Sequence, residues 1–278
     1  MEEWTTGESC APSGATASAG QESPPGRPVT LAGDGPTGVI RLGDTVHRTT
    51  GPWSPAVHRL LDHLRDQGFH AVPRYLGLDE AGREILGYVA GTVPPSPLPD
   101  EPAWDGVLTR VGVTLRAFHD ATVALAPLVP DGWQFAPVEP VEVICHNDIA
   151  PDNVVLRADG TVAFIDLDTA APGPRAWDLA YALYRFAPLS PDVGSPESQA
   201  RRARLLLDGY EASPPDRAGA VRLVPRRLET LAAFVRTQAQ AGHPAYARHL
   251  AEGHADLYRR DAEYARAHVA AWTTYVTR

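Results

Sequence analysis

The chain is 278 residues long, 44% hydrophobic, and carries a formal charge of −9 with a pI near 5.5. That length and apolar content suffice to bury a sizeable core, as one large domain or two lobes. The acidic balance argues against a nucleic-acid partner, which would call for a basic face, and suits a cationic small molecule better.

Met1-Glu2-Glu3-Trp4 lacks the basic and apolar regions of a secretory signal, and no uninterrupted apolar stretch is long enough to span a membrane. Cys10 and Cys145 alone cannot build a disulfide scaffold, so a reducing cytoplasm is the expected setting. Residues 1–28, rich in Ser, Ala, Gly, Pro and Glu without periodicity, are expected to form a disordered tail.

Structure is expected to begin at Val29-Thr30-Leu31 and continue through Val39-Ile40-Arg41-Leu42. The chain then turns at Gly43-Asp44 and returns through Thr45 to Arg48 as an antiparallel sheet. Val57, Leu60, Leu61 and Leu64 recur at helical spacing, which predicts a helix after Ser54-Pro55 that stops at Gly68. Two further strands, Arg74 to Leu78 and Glu84 to Val89, complete a first lobe over 29–91, to which nucleotide binding is assigned. The proline-rich run from Thr92 to Pro99 opens a second lobe, 92–278, expected to be catalytic and substrate-binding. There Val107, Leu108, Val111, Leu115 and Phe118 give a buried helical face. The strand Val141 to Ile144 delivers His146, and Asn153 to Asp166 reads as a β-hairpin turning at Asp159-Gly160. From Trp177 onward the pattern is helical, ending in a long stretch after Pro244. The fold class read from these elements is α+β, a small antiparallel sheet followed by a mainly helical lobe.

His146, Asp148 and Asn153 stand in the pattern His-x-Asp-x-x-x-x-Asn, and Asp166 ends the apolar run Val162 to Ile165. Phosphoryl transfer needs in-line positioning, neutralisation of developing charge, and a carboxylate that orients the acceptor. Asp148 is the candidate for that carboxylate. Asn153 and Asp166 supply the hard oxygens that suit Mg²⁺, and His146 is placed with the catalytic group as a holder of the loop backbone. A polar loop using Asp and Asn as turn residues explains His146 alone, but not the four residues together.

These residues resemble the aminoglycoside phosphotransferase and choline kinase-like branch of the protein-kinase fold. The motifs are Cys145-His146-Asn147-Asp148-Ile149-Ala150-Pro151-Asp152-Asn153, Phe164-Ile165-Asp166-Leu167-Asp168 and Trp177-Asp178-Leu179-Ala180. The resemblance spans most of residues 29–278 and is specific in the second lobe. It implies a bilobal kinase-like fold, with ATP or GTP as phosphoryl donor and Mg²⁺ as cofactor. The acceptor it implies is a hydroxyl of an antibiotic-like small molecule, whose modification would confer resistance. By similarity Asp178 braces the catalytic loop; an ordinary helix N-terminal carboxylate reads the same way. Asp168, two residues beyond Asp166, could support the metal residue from behind or be a surface turn residue, and the second reading is favoured.

The first lobe departs from the family pattern. Gly33-Asp34-Gly35-Pro36-Thr37-Gly38 fits G-x-G-x-x-G, so Gly35 and Gly38 are candidates to cover phosphates, although Asp34 would repel them and Pro36 lacks an amide. Arg48 stands where the family offers a lysine to the phosphates; a solvated strand charge is the alternative. Val57 and His58 occupy the positions expected to give that cation a glutamate, so its ion pair is expected to be missing. Tyr88 and Val89 resemble the hinge that reads the nucleobase.

The departures leave room for a pseudokinase-like module that holds a ligand without turnover. A protein kinase fits less well, because the few residues from Thr169 to Trp177 leave little space for an activation loop. For the acceptor, Trp133 and Phe135 could stack on a ring or pack the lobe. Glu252, Asp256, Asp261 and Glu263 form an acidic run that could receive a polycation or face solvent beside Arg259 and Arg260. Aminoglycoside and nucleoside antibiotic both stay open as acceptors, and oligomeric state leaves no trace.

Overall fold

A computed structural model describes residues 29–31, 39–128 and 131–278. The expected tail and the glycine-rich segment with Gly35 and Gly38 lie outside the described residues.

Alternation and turn chemistry produce the first lobe as read. Strands β1 (Val29–Leu31), β2 (Val39–Leu42), β3 (Thr45–Arg48), β4 (Tyr75–Leu78) and β5 (Glu84–Gly87) form an antiparallel sheet in the order β1-β2-β3-β5-β4. Gly43 reverses the β2–β3 turn at φ +60, a conformation that suits a residue without Cβ. Between β3 and β4, α1 (Ser54–Asp66) starts with Pro at its first turn and buries Val57, Leu60, Leu61 and Leu64.

The second lobe is helical around two short strand pairs. Helix α2 (Asp105–Thr122) buries Val107, Leu108, Val111, Leu115 and Phe118. Strand β6 (Val143–Cys145) is fully buried and pairs with β9 (Ala171–Gly173), a partner that the local pattern does not reveal. Strands β7 (Val154–Leu156) and β8 (Val162–Phe164) form the expected hairpin, with Val154 opposite Phe164 and Gly160 at φ +81 in the turn. Helices α3 (Arg175–Phe186), α4 (Pro196–Gly209) and α5 (Pro214–Gln240) follow. The long helical stretch after Pro244 is made of two helices, α6 (Pro244–Ala251) and α7 (His254–Val276), with Gly253 at φ +83 between them.

Close backbone approach explains two glycines. A Cβ on Gly112 of α2 would lie 2.1 Å from the Leu206 carbonyl of α4, so only glycine lets these helices touch. At the junction after β5, Gly91 has φ +151 and a Cβ there would meet the Leu156 carbonyl at 2.3 Å. Beside it, Thr92 and Leu156 exchange two backbone hydrogen bonds of 2.9 and 2.8 Å, tying the connecting segment to β7.

Candidate active site

The catalytic-loop residues are gathered by a buried carboxylate. Asp178, in the first turn of α3, accepts the His146 amide at 2.7 Å and the Asn147 amide at 2.8 Å. His119 of α2 meets the same carboxylate through Nε2 at 3.0 Å and the Tyr210 hydroxyl through Nδ1 at 2.8 Å. Asp178 and His119 are both 0% exposed. Burial opposes the Asp178 charge, but the hydrogen bonds from His119 and the loop amides hold its carboxyl below the ordinary range. Burial pushes the His119 imidazole down.

This clamp lets Asn147 sit at φ +66, a left-handed conformation that asparagine tolerates better than most residues. A second hold comes from α5, where Arg227 Nη2 donates to the Asn147 carbonyl at 2.7 Å. Arg227 is 1% exposed, and its guanidinium lies 4.9 Å from the Tyr181 ring centre and 5.1 Å from that of Trp177. No motif spacing points to Arg227; only the packing of α5 on the loop reveals it.

Hydrogen bonding orients the reactive groups. His146 Nε2 lies 3.1 Å from the Ile165 carbonyl and must donate to it, while Nδ1 accepts the Asp148 amide at 3.3 Å. Both ring nitrogens are therefore engaged with backbone. Asn153 donates Nδ2 to the Asp148 side chain at 2.8 Å and to its carbonyl at 3.0 Å, which leaves Oδ1 as the acceptor end of its side chain. The Ile165 amide bonds the Asn153 carbonyl at 3.0 Å, so the hairpin ends bring Asn153 and Asp166 together. Asp166 adopts φ +60 and its side chain is 50% exposed. An amide oxygen and an accessible carboxylate beside each other are a donor set that fits Mg²⁺.

The first-lobe cation differs from expectation. Arg48 bonds Glu84 through Nε, Asp166 through Nη1 at 2.9 Å and Asp168 through Nη2 at 2.5 Å. Its ion pair is not missing. It comes from β5 instead of α1, because the β3–β5 register sets Arg48 opposite Glu84. Helix α1 contributes His58, whose Nε2 lies 2.6 Å from the other oxygen of Glu84 and whose ring stacks on Tyr75 at 3.8 Å. Burial works against the Arg48 charge, but the three carboxylates hold its pKa above the usual arginine value. Asp168 is no surface turn residue: burial, offset by Arg48 and reinforced by Asp166, pushes its carboxyl up to about 6.

Other expected positions fall elsewhere. The Tyr88 amide bonds the Asp44 carbonyl at 2.8 Å and its ring lies 3.6 Å beneath the Arg41 guanidinium, so that amide is committed within the lobe. Tyr88 and Val89 line a cavity of about 500 Å³ with Arg74 and Arg157, and none of Arg48, Asp148, Asn153 or Asp166 borders it.

Trp133 is half-buried against the main core, and Phe135 packs edge-on to Phe234 at 4.5 Å. The acidic run is not one face. Asp261 is 1% exposed and accepts the Tyr184 hydroxyl at 2.8 Å, whereas Asp256 is exposed and paired with Arg236 at 2.7 Å. Glu252 is exposed beyond the end of α6, and Glu263 is exposed on α7. Burial pushes the Tyr181, Tyr246 and Tyr258 hydroxyls up, and the Asp148 carboxylate acts in the same direction. Arg185 pairs with Asp152 at 3.1 Å. Among the described residues, no helix is long and apolar enough to cross a membrane.

Residues 124–220, which contain this loop, hairpin and brace, match the model of the phosphotransferase enzyme family. The chain is 37% identical over 207 residues to the trifolitoxin immunity protein of Rhizobium leguminosarum bv. trifolii, covering 69% of this chain and 77% of that protein. A choline/ethanolamine kinase family protein from Mesorhizobium loti has the same fold, with TM-score 0.60, 19% identity, and 92% and 94% of the two chains covered. So does an aminoglycoside phosphotransferase from Alicyclobacillus acidocaldarius, with TM-score 0.53, 16% identity, and 86% and 90% covered. Sequence kinship, shared bilobal α+β architecture and the matched loop agree, and the chain belongs to the phosphotransferase enzyme family.

Proposed function

We propose that this protein transfers the γ-phosphoryl group of ATP or GTP to a hydroxyl of an antibiotic-like small molecule in the cytoplasm, and so protects the cell that makes or meets it. The observation that carries the reading is Asp148, whose carboxylate is aimed by Asn153 on a loop clamped by Asp178 and Arg227. Asp148 would accept a hydrogen bond from the acceptor hydroxyl and turn its oxygen lone pair toward the γ-phosphorus. The new oxygen–phosphorus bond forms as the bond to the nucleoside diphosphate breaks, and the hydroxyl proton passes to Asp148. Asn153 and Asp166 would hold Mg²⁺, which supplies charge neutralisation on the phosphates when bound. Arg48 would reach the same phosphates from β3, exchanging its bonds to Asp166 and Asp168 for phosphate oxygens. Kinship to an immunity protein supports the protective role.

The acceptor stays open between an aminoglycoside and a nucleoside or other uncharged antibiotic. Of the acids expected to receive a polycation, Asp261 is turned into the core, whereas Glu252, Asp256 and Glu263 are exposed. One observation favours a ligand-binding module without turnover: Arg48 already occupies Asp166.

The test is a coupled nucleotide-consumption assay, with ATP and GTP separately, against nucleoside antibiotics, macrolides, amino alcohols and aminoglycosides. Consumption is expected with at least one acceptor, and Asp148→Asn should lower kcat by roughly 10²–10⁴-fold while nucleotide affinity stays near that of the parent. Consumption with none of the acceptors would move the assignment to the binding module. Equal turnover by the two proteins would remove Asp148 from its role.

A further inference from the structure

Outside the catalytic cleft, one corner of the second lobe collects metal-binding side chains. His249 lies in the last turn of α6, Glu252 follows its end, and His254 is the first residue of α7. Gly253 brings them together: at φ +83, with its amide bonded to the Leu250 carbonyl at 3.1 Å, it folds the chain back within one turn. One donor atom from each of the three side chains lies within 4.8 Å of the other two. The two imidazole centres are 4.9 Å apart, and His254 Nε2 is 3.7 Å from Glu252 Oε2.

Two imidazole nitrogens and one carboxylate oxygen are a borderline donor set that suits Zn²⁺ and leaves a fourth position for water. Tetrahedral donors at zinc bond lengths stand roughly 3.3–3.5 Å apart, so small side-chain rotations close the site. A second group with comparable spacing, His119, Cys145 and Asp178, is already committed. Both nitrogens of His119 are hydrogen-bonded, Asp178 holds two loop amides, and burial pushes the Cys145 thiol well up. Of the two groups among the described residues, the α6–α7 corner is the one at the surface, where Glu252 also pairs with Arg248 at 3.9 Å.

The corner also has something to fasten. Helix α6 has no fully buried residue, and part of its hold is Tyr246, set edge-on to Phe234 at 5.2 Å and to His249 at 5.9 Å. The Gln134 amide donates to the Tyr246 hydroxyl at 3.5 Å, so α6 also rests on the loop that precedes β6.

We propose that His249, Glu252 and His254 form a Zn²⁺ site that staples α6 to the start of α7. The site is independent of the phosphotransfer assignment, because its readout is metal binding and local exchange, not turnover. Metal-free protein carrying Cys10→Ser would be titrated with Zn²⁺ against a chromophoric chelator, and amide hydrogen exchange followed over Pro244–Ala251. One equivalent is expected to bind and to slow exchange across α6. His249→Ala with His254→Ala should lose both effects, each read as the difference between the Zn²⁺-loaded and metal-free forms of the same variant. The single variant Glu252→Gln should weaken binding without abolishing it. No bound equivalent in the parent at micromolar Zn²⁺, or an equivalent that survives the double substitution, would overturn the site.

Discussion

The catalytic loop and the Arg48 cluster face each other across the cleft and are held in opposite ways. The loop is fixed by groups with almost no solvent exposure: Asp178 and Arg227 fill its backbone hydrogen bonds from two helices, and His119 from a third holds the Asp178 carboxylate. The Arg48 cluster has one buried anchor, Glu84, and two carboxylates that remain partly open to water, Asp166 and Asp168. A preorganised site places its fixed dipoles where chemistry occurs and leaves exchangeable ions where a ligand must enter. In the proposed reaction the loop is then a rigid tool, and the cluster a set of contacts that nucleotide and metal would take over.

Substitutions sharpen this contrast. The largest effect belongs to the loop: Asp178→Ala leaves two amides and a buried imidazole without their partner. It should cost about 3–5 kcal/mol of stability, measured by urea unfolding, together with most of the turnover. A loss below 1 kcal/mol would mean that the loop is not held as described. On the cluster side, Asp166→Ala should cost under about 1 kcal/mol because the side chain is half exposed. Calorimetry should nevertheless show weaker Mg²⁺-nucleotide affinity; unchanged affinity would assign the metal to another carboxylate. The smallest effect is expected at Asp256→Ala, which breaks an exposed pair with Arg236 and should change stability by about 0–1 kcal/mol with no change in KM. A raised KM for a cationic acceptor would restore the acidic run as a binding surface.

Local pattern carried the elements well and the pairings poorly. Alternation, helical spacing and turn residues predict the first-lobe strands, α1, α2 and the β7–β8 hairpin, because each is decided within a few residues. Glu84 as the partner of Arg48 depends instead on strand register across 36 residues, so a search confined to the following helix misses it. Asp261 fails for a related reason. Its charge suggests solvent, but its position on α7 turns it toward Tyr184, and only the packing of α3 against α7 shows this. Arg227 carries no motif at all, and the commitment of the Tyr88 amide to Asp44 is a long-range backbone bond that composition cannot announce.

The reciprocal bonds between Thr92 and Leu156 set the length of the joint between the lobes. A joint is only as long as its unanchored stretch, and here the chain is last held to the first lobe by the Tyr88 amide on Asp44 and is pinned again at Thr92. The freedom this leaves is rotation about Val89 to Gly91, since sliding would tear the connector from β7. Because β7 starts directly after Asn153, the connector between the lobes is anchored on the same short strand that follows a proposed metal ligand.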